Sequence, residues 1–221
     1  MEWQGESYFP VLLRLRGRRC VVVGPWAAAW ERAQALRACG AEVCIVVPDG
    51  EVGQGLEGAD IGIEVRRRPF QADDLADAWM VVSVVPDPVW NAELYRMAEE
   101  RRVLCYVVDD PEHSHYIRPA VWAAGPVVIA VSTGGTSPRL AQVLRDRCAG
   151  VVTEADVRLA VLLGALRPRL RQVLLDPEAR RAFVDRLMAS EVMARLQEGD
   201  VEAARQMAEA LLETFVGGAS P

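Results

Sequence analysis

The sequence predicts an α/β fold: a Rossmann-like parallel sheet in the first part of the chain and a wholly helical region at its end. Three observations carry this reading. Short runs that are apolar at every position alternate with stretches of helical periodicity, the pattern of strands buried on both faces by crossover helices. The first such run ends in a glycine that opens an alanine-rich helix. From Val151 onward no run reads as a strand.

In chain order, Cys20-Val-Val-Val23 is the first strand. It stops at Gly24 and passes into a helix with Ala29, Ala33 and Leu36 on one face, which Gly40 closes. Val43 to Val47 is a second buried strand, ended by Pro48-Asp49-Gly50, and Ile61 to Arg66 a third before the Asp-rich segment 73–77. Met80 to Val85 is a fourth. Asp87-Pro88 then starts a helix whose apolar positions Trp90, Leu94, Met97 and Ala98 share one face, and Val103 to Val108 is the next strand. The expected first domain is 1–115. Val127 to Val131 reads as a strand leading through a glycine-rich loop to a helix over Arg139 to Arg147, with Ser137 as its cap and Pro138 in its first turn. The remainder, 151–221, is helical, with starts at Asp176-Pro177 and Gly199-Asp200, and Gly217 to Pro221 is expected to fray.

Composition narrows the function. The 221 residues are 51% apolar and 25% charged, which excludes disorder over most of the length. The net charge of −6 is opposite to that of a phosphate-backbone binder, so nucleic acid is not an expected partner. Every basic residue is arginine, which removes Schiff-base, P-loop and general-base lysines. Cys20, Cys39, Cys44, Cys105 and Cys148 have no paired spacing and read as buried, reduced thiols. Met1 to Pro10 lacks a signal-peptide layout, and Pro119 to Val131, broken by Gly125 and Pro126, is too short to cross a bilayer. A cytoplasmic location without a membrane partner is the expectation.

Four constellations are suited to chemistry. Gly24-Pro25-Trp26-Ala27-Ala28-Ala29 occupies the strand-to-helix turn where a dinucleotide fold presents G-x-G-x-x-G/A. The first glycine and the small last residue are there, but Trp26 stands where the backbone approaches the pyrophosphate. Asp49 lies about 20 residues on or slightly more, the place of a ribose-binding carboxylate; the alternatives are an NAD site over Gly24, Trp26, Ala27, Ala28, Pro48 and Asp49, or a turn that no longer binds NAD. Asp109, at the carboxyl end of the last parallel strand, is a candidate base whose partial desolvation would suit proton transfer, or else it caps the turn before Pro111. Ser132, Thr133, Gly134, Gly135, Thr136 and Ser137 combine glycines, hydroxyls and a helix start, either an anion cradle or an ordinary capped helix. His113 and His115 would face one side of a strand and hold a divalent metal with Asp109; the other reading is a solvated loop.

Together these segments resemble the siroheme synthase amino-terminal module family, also known as precorrin-2 dehydrogenase and sirohydrochlorin ferrochelatase. The resemblance runs over residues 6–147. It is carried by Tyr8-Phe-Pro-Val-Leu-Leu-Arg-Leu-Arg-Gly17, Val-Val-Val-Gly24, Gly40-Ala41, Asn91, Val107-Val-Asp-Asp-Pro111, Pro119-Ala120 and Ala130-Val-Ser-Thr-Gly-Gly-Thr-Ser-Pro138. It implies a homodimer with a Rossmann-like parallel sheet (1–115), a small dimerisation segment with the glycine-rich loop (116–150) and an α-helical carboxyl-terminal domain (151–221).

The resemblance further implies NAD-dependent oxidation of precorrin-2 to sirohydrochlorin, in some members joined to insertion of Fe²⁺ as a substrate, with Asp109 as the catalytic aspartate and a many-carboxylate tetrapyrrole as ligand. Arginine forks suit such a ligand. The departures lie at Gly24-Pro25-Trp26, where members carry three glycines, and at Val84-Val85-Pro86-Asp87, where they carry an Ala-Thr-Asp-Asp-like strand end. Thr133 replaces a serine of some members. Two alternatives follow: a chelatase or tetrapyrrole-binding homologue without NAD, and a non-enzymatic dimeric Rossmann regulator.

Overall fold

The structure, a computed structural model, describes residues 7–47 and 62–217. The chain divides into two units, Met1–Arg118 and Pro119–Pro221.

The first unit contains β1 (Arg19–Val23), α1 (Trp26–Ala38), β2 (Glu42–Val47), β3 (Ile63–Arg67), β4 (Met80–Ser83), α2 (Pro88–Arg101) and β5 (Leu104–Val107). Its strands form one sheet in the order β3-β2-β1-β4-β5, parallel throughout. The fully apolar runs have a direct explanation in burial on both faces. Cys20, Val22, Val43, Ile45, Val47, Met80 and Val82 pack on one side with Ala29 and Ala33 of α1. Val21, Val23, Cys44, Val46 and Val81 pack on the other with Leu94 and Ala98 of α2. The strand order reverses between β1 and β4, which puts a crevice at their carboxyl ends, the ordinary ligand position of such sheets.

Local chemistry sets the element ends. Asp87 caps α2 by accepting from the Val89 and Trp90 N–H groups at 3.0 and 3.2 Å, and Arg102, in the left-handed region at φ 57°, ends it. Burial pushes the Cys20 and Cys44 thiols up to about 11 and Cys105 up to about 12. Cys39 and Cys148, also expected to be buried, are exposed instead; all five thiols are free.

The second unit opens with a hairpin, β6 (Ala120–Ala124) and β7 (Val127–Val131), antiparallel and turned by Gly125-Pro126. Only β7 was expected. α3 (Pro138–Ala149) packs on the hairpin. It is followed by α4 (Glu154–Val173), α5 (Pro177–Met188), α6 (Val192–Glu198) and α7 (Val201–Gly217), whose core includes Leu162, Leu166, Phe183, Leu187, Leu196 and Leu212. Residues 218–221, where fraying was expected, lie outside the described residues. No helix among the described residues is long and apolar enough to cross a membrane.

Among the described residues, one charged group sits inside the first unit. Asp74 is fully buried in a short 3-10 turn, Ala72–Leu75, after β3. Arg68 grips it with bonds of 2.8 and 2.6 Å, Arg66 donates at 2.5 Å and the Gln71 N–H at 2.8 Å. Burial pushes this carboxyl up, but the bonds from Arg68, Gln71 and Arg66 outweigh it and hold it down at about 2. Its contribution to stability is therefore complete above the ordinary value of 3.8 and is lost as pH falls through about 2. In urea unfolding the wild type should lose stability over that interval and Asp74→Asn much less. At neutral pH the substitution should cost about 2 to 3 kcal/mol, the part-exposed guanidiniums keeping it at the low end. Equal pH slopes for the two proteins would remove Asp74 from this role.

Candidate active site

The β1–α1 turn is built around Gly24. Its φ is 133°, and a side chain there would meet Val84 Cγ2 at 2.7 Å and the Val84 carbonyl carbon at 3.0 Å, so only glycine fits between β1 and the β4–α2 turn. α1 begins at Pro25 with no side-chain cap and no acidic residue in its first turn. Its first N–H groups and the positive end of the helix dipole are thus left to an anion, which is the physical requirement for a pyrophosphate. Ala27 and Ala28, in that first turn, are exposed.

Trp26, the first residue of α1, has its ring in an apolar setting. Its ring stacks on Trp30, one turn along, with centroids 5.3 Å apart, and both indoles pack against the apolar cluster on the α1 face of the sheet. The ring is held along the helix by those contacts. Pro48 and Asp49 lie outside the described residues.

The β4–α2 turn that faces Gly24 is fixed by a buried polar ring. Ser83 Oγ donates to Asn91 Oδ1 at 2.7 Å, Asn91 Nδ2 donates to the Val85 carbonyl at 2.9 Å, and the Val85 N–H donates back to Ser83 Oγ at 3.2 Å. Both side chains are buried. Asn91 was noted only for its family position and Ser83 was missed. A serine inside the otherwise apolar run Met80 to Val85 is the signal that could have found it.

Asp109 lies where expected, just beyond β5 at the carboxyl rim, in a turn closed by the Asp110 N–H on the Val107 carbonyl at 3.3 Å. Its φ is 61°, a left-handed conformation that aspartate tolerates better than most residues. The expected partial desolvation is absent: Asp109 is exposed, because the turn projects it past the strand end. Its carboxylate makes no hydrogen bond among the described residues, whereas Asp110 is engaged by His113 through Nδ1 at 2.7 Å. The two adjacent acids therefore differ, one free and one structural.

His113 and His115 do not have the strand setting that the metal reading assumed. They lie in a loop, not on a strand. His115 uses both ring nitrogens, Nδ1 accepting from the Cys105 N–H at 2.8 Å and Nε2 meeting Glu99. Among the described residues no group of three His, Cys, Asp or Glu is arranged to hold a metal ion.

The glycine-rich loop of the second unit has Gly134 and Gly135 at φ 62° and 81°. Much of its donor capacity is used internally. The Gly134 N–H bonds Ser132 Oγ at 3.1 Å, the Thr136 N–H the Thr133 carbonyl at 3.2 Å, and the Ser137 N–H Thr133 Oγ1 at 3.1 Å. Ser137 caps α3 through the Leu140 N–H at 3.2 Å. The loop is a braced helix cap more than an open cradle, and the Thr133 hydroxyl, shared with serine, is the brace.

Comparison with known proteins agrees with this layout. A family model described as putative NAD(P)-binding matches residues 11–120, sirohaem biosynthesis protein central matches 125–147, and sirohaem synthase dimerisation region matches 157–212. Siroheme synthases of Nitrosococcus oceani and Thioalkalivibrio sulfidiphilus are 33% and 34% identical over 208 residues, 94% of this chain and 44% and 42% of theirs. The chain belongs to the siroheme synthase amino-terminal module family. It spans less than half the length of those siroheme synthases. A solved structure titled SirC, precorrin-2 dehydrogenase, shares the fold, with a TM-score of 0.68 at 18% identity over 92% of this chain and all of that one.

Within this module the Ser83–Asn91 ring makes a measurable claim. Asn91→Leu strands Ser83 Oγ and the Val85 carbonyl and should cost about 2 kcal/mol. Ser83→Ala should cost less in that background than in the wild type, because the Asn91 Oδ1 that it would otherwise strand is already gone. Strictly additive losses in urea unfolding would show that the ring does not act as a unit.

Proposed function

We propose that this chain is an NAD-dependent precorrin-2 dehydrogenase that forms sirohydrochlorin in siroheme synthesis, working as a cytoplasmic homodimer. The observation that carries the reading is the unpartnered carboxylate of Asp109 at the carboxyl rim of a parallel sheet whose β1–α1 turn leaves a helix start uncapped. The names of the relatives and of the structural neighbour support the substrate class. The dimerisation-region match at 157–212 supports a dimer, to which the segment 116–150 is proposed to contribute.

In this reading Gly24, Trp26, Ala27 and Ala28, together with Pro48 and Asp49, hold the dinucleotide. Bound NAD⁺ supplies the hydride acceptor. Oxidation removes a hydride and a proton from the macrocycle, and Asp109 takes the proton. Its exposure suits that task, since a large ring laid over it strips water from the carboxylate and strengthens it as a base at the moment of reaction. Ser132, Thr133, Gly134, Gly135, Thr136 and Ser137 are proposed as a loop that meets substrate carboxylates through hydroxyls. Iron insertion rests on the same carboxylate, which would accept the pyrrole protons as Fe²⁺ enters as a substrate.

The test is anaerobic turnover of precorrin-2 followed by NADH formation, with a parallel NAD⁺ titration. Asp109→Asn should lower kcat by about 10²-fold or more and leave NAD⁺ binding intact. Failure to bind millimolar NAD⁺ would reject the dehydrogenase and favour a chelatase or binding protein. Full activity in Asp109→Asn would reject the assigned base.

A further inference from the structure

We infer that Ser114 and His115 are positioning residues that stand in for a missing neighbour strand along β5 and thereby hold the Asp109 turn in its left-handed conformation. The inference rests on Asp109 being the proton acceptor. β5 is an edge strand, so the polar groups on its outer side have no ladder to join and must be met some other way.

Two consecutive residues supply the partners. The Cys105 N–H donates to His115 Nδ1 at 2.8 Å, and the His115 N–H donates to the Cys105 carbonyl at 2.9 Å. One strand step on, the Val107 N–H donates to Ser114 Oγ at 2.9 Å. The Ser114 hydroxyl proton has the Asp110 carbonyl at 2.7 Å and the Val107 carbonyl at 3.2 Å as acceptors. The loop after Asp109 is therefore bonded back to the strand before it, at both ends of the turn. Asp109 is the residue in between, at φ 61°, a conformation that a non-glycine residue keeps only when its surroundings impose it.

The histidine is fixed in turn. An Nδ1 that accepts carries no proton, so Nε2 bears the hydrogen and donates to Glu99 of α2. Tyr95, one turn earlier on α2, covers the imidazole with centroids 4.7 Å apart. Both ring nitrogens and one ring face are thus committed, and α2 and β5 are joined through the residue that ties down the turn. This explains the two-residue histidine spacing without a metal, and it assigns His115, not His113, as the member that acts on Asp109.

The experiment uses the full chain in the precorrin-2 and NAD⁺ assay, with His115→Leu, which removes the acceptor, and His115→Asn, whose side-chain oxygen replaces Nδ1 as acceptor. His115→Leu should lower kcat by about 10- to 100-fold with little change in KM or in NAD⁺ affinity. His115→Asn should restore most of the rate. In an Asp109→Asn background His115→Leu should add nothing further, because there is no base left to misplace. Amide exchange gives a second readout that needs no variant to fold: the Cys105 and Val107 N–H groups of the wild type should exchange slowly despite lying on a sheet edge. Normal kcat in His115→Leu beside a damaged Asp109→Asn, or fast exchange at both amides, overturns this inference alone. An Asp109→Asn protein with full activity, or no turnover in the wild type, overturns the dehydrogenase reading and the inference with it.

Discussion

The shape of the candidate site follows from one requirement: backbone N–H and C=O groups at the carboxyl rim of the sheet must find partners where the strands run out. A parallel sheet ends there in several chain reversals, each of which removes residues from the ladder. At β4 the demand is met by Ser83 and Asn91, which tie Val85 at both its N–H and its carbonyl. At β5 it is met by Ser114 and His115. At β1 it is met by the Gly24 N–H reaching the Val46 carbonyl at 3.2 Å, a route open only because no side chain stands between Gly24 and Val84. The polar side chains in these turns serve the backbone first, and the exposed groups left over are the ones available for chemistry.

That division separates functional from structural groups that look alike in sequence. Asp109 and Asp110 are neighbours, yet only Asp110 has a side-chain partner. The helix starts divide in the same manner. α2, α3, α4 and α5 are capped by Asp87, Ser137, Thr153 and Asp176, whereas α1 has no such cap. Among the described residues of the first unit, this uncapped start beside the point where strand order reverses leaves backbone donors and dipole unspent on the protein itself. The Trp26–Trp30 stack fits this picture, since packing on the sheet-side cluster gives a large ring at the first helical position an apolar resting place.

Much of the fold was legible in the sequence. Runs such as Cys20–Val23 and Val43–Val47 had to be strands buried on both faces, because no other element buries so short and so uniformly apolar a segment between turn residues. Asp87-Pro88, Ser137-Pro138 and Asp176-Pro177 marked helix starts because a carboxylate or hydroxyl followed by proline suits that position and few others. Asp109 was legible as the residue at the end of the last parallel strand. These are local rules, decided by a few neighbouring residues.

What the sequence could not decide depends on partners distant along the chain. Ala120–Ala124 hid as a strand because small residues carry little β signal until the hairpin pairs them with Val127–Val131. The Asp74 clamp needs Arg66 and Arg68 to arrive on the same side of one turn. His113 and His115 suggested a metal by spacing alone. Only the folded chain, by laying the loop back along β5, turned His115 into the acceptor for Cys105 and left Asp109 the unengaged acid. The sequence by itself settled most of the strands and helices and the rim on which the parallel strands end, because burial and capping act within a few residues. Tertiary structure alone decided which polar side chains are consumed by backbone and which stay free, because a hydrogen bond requires both partners to be brought within about 3 Å of each other.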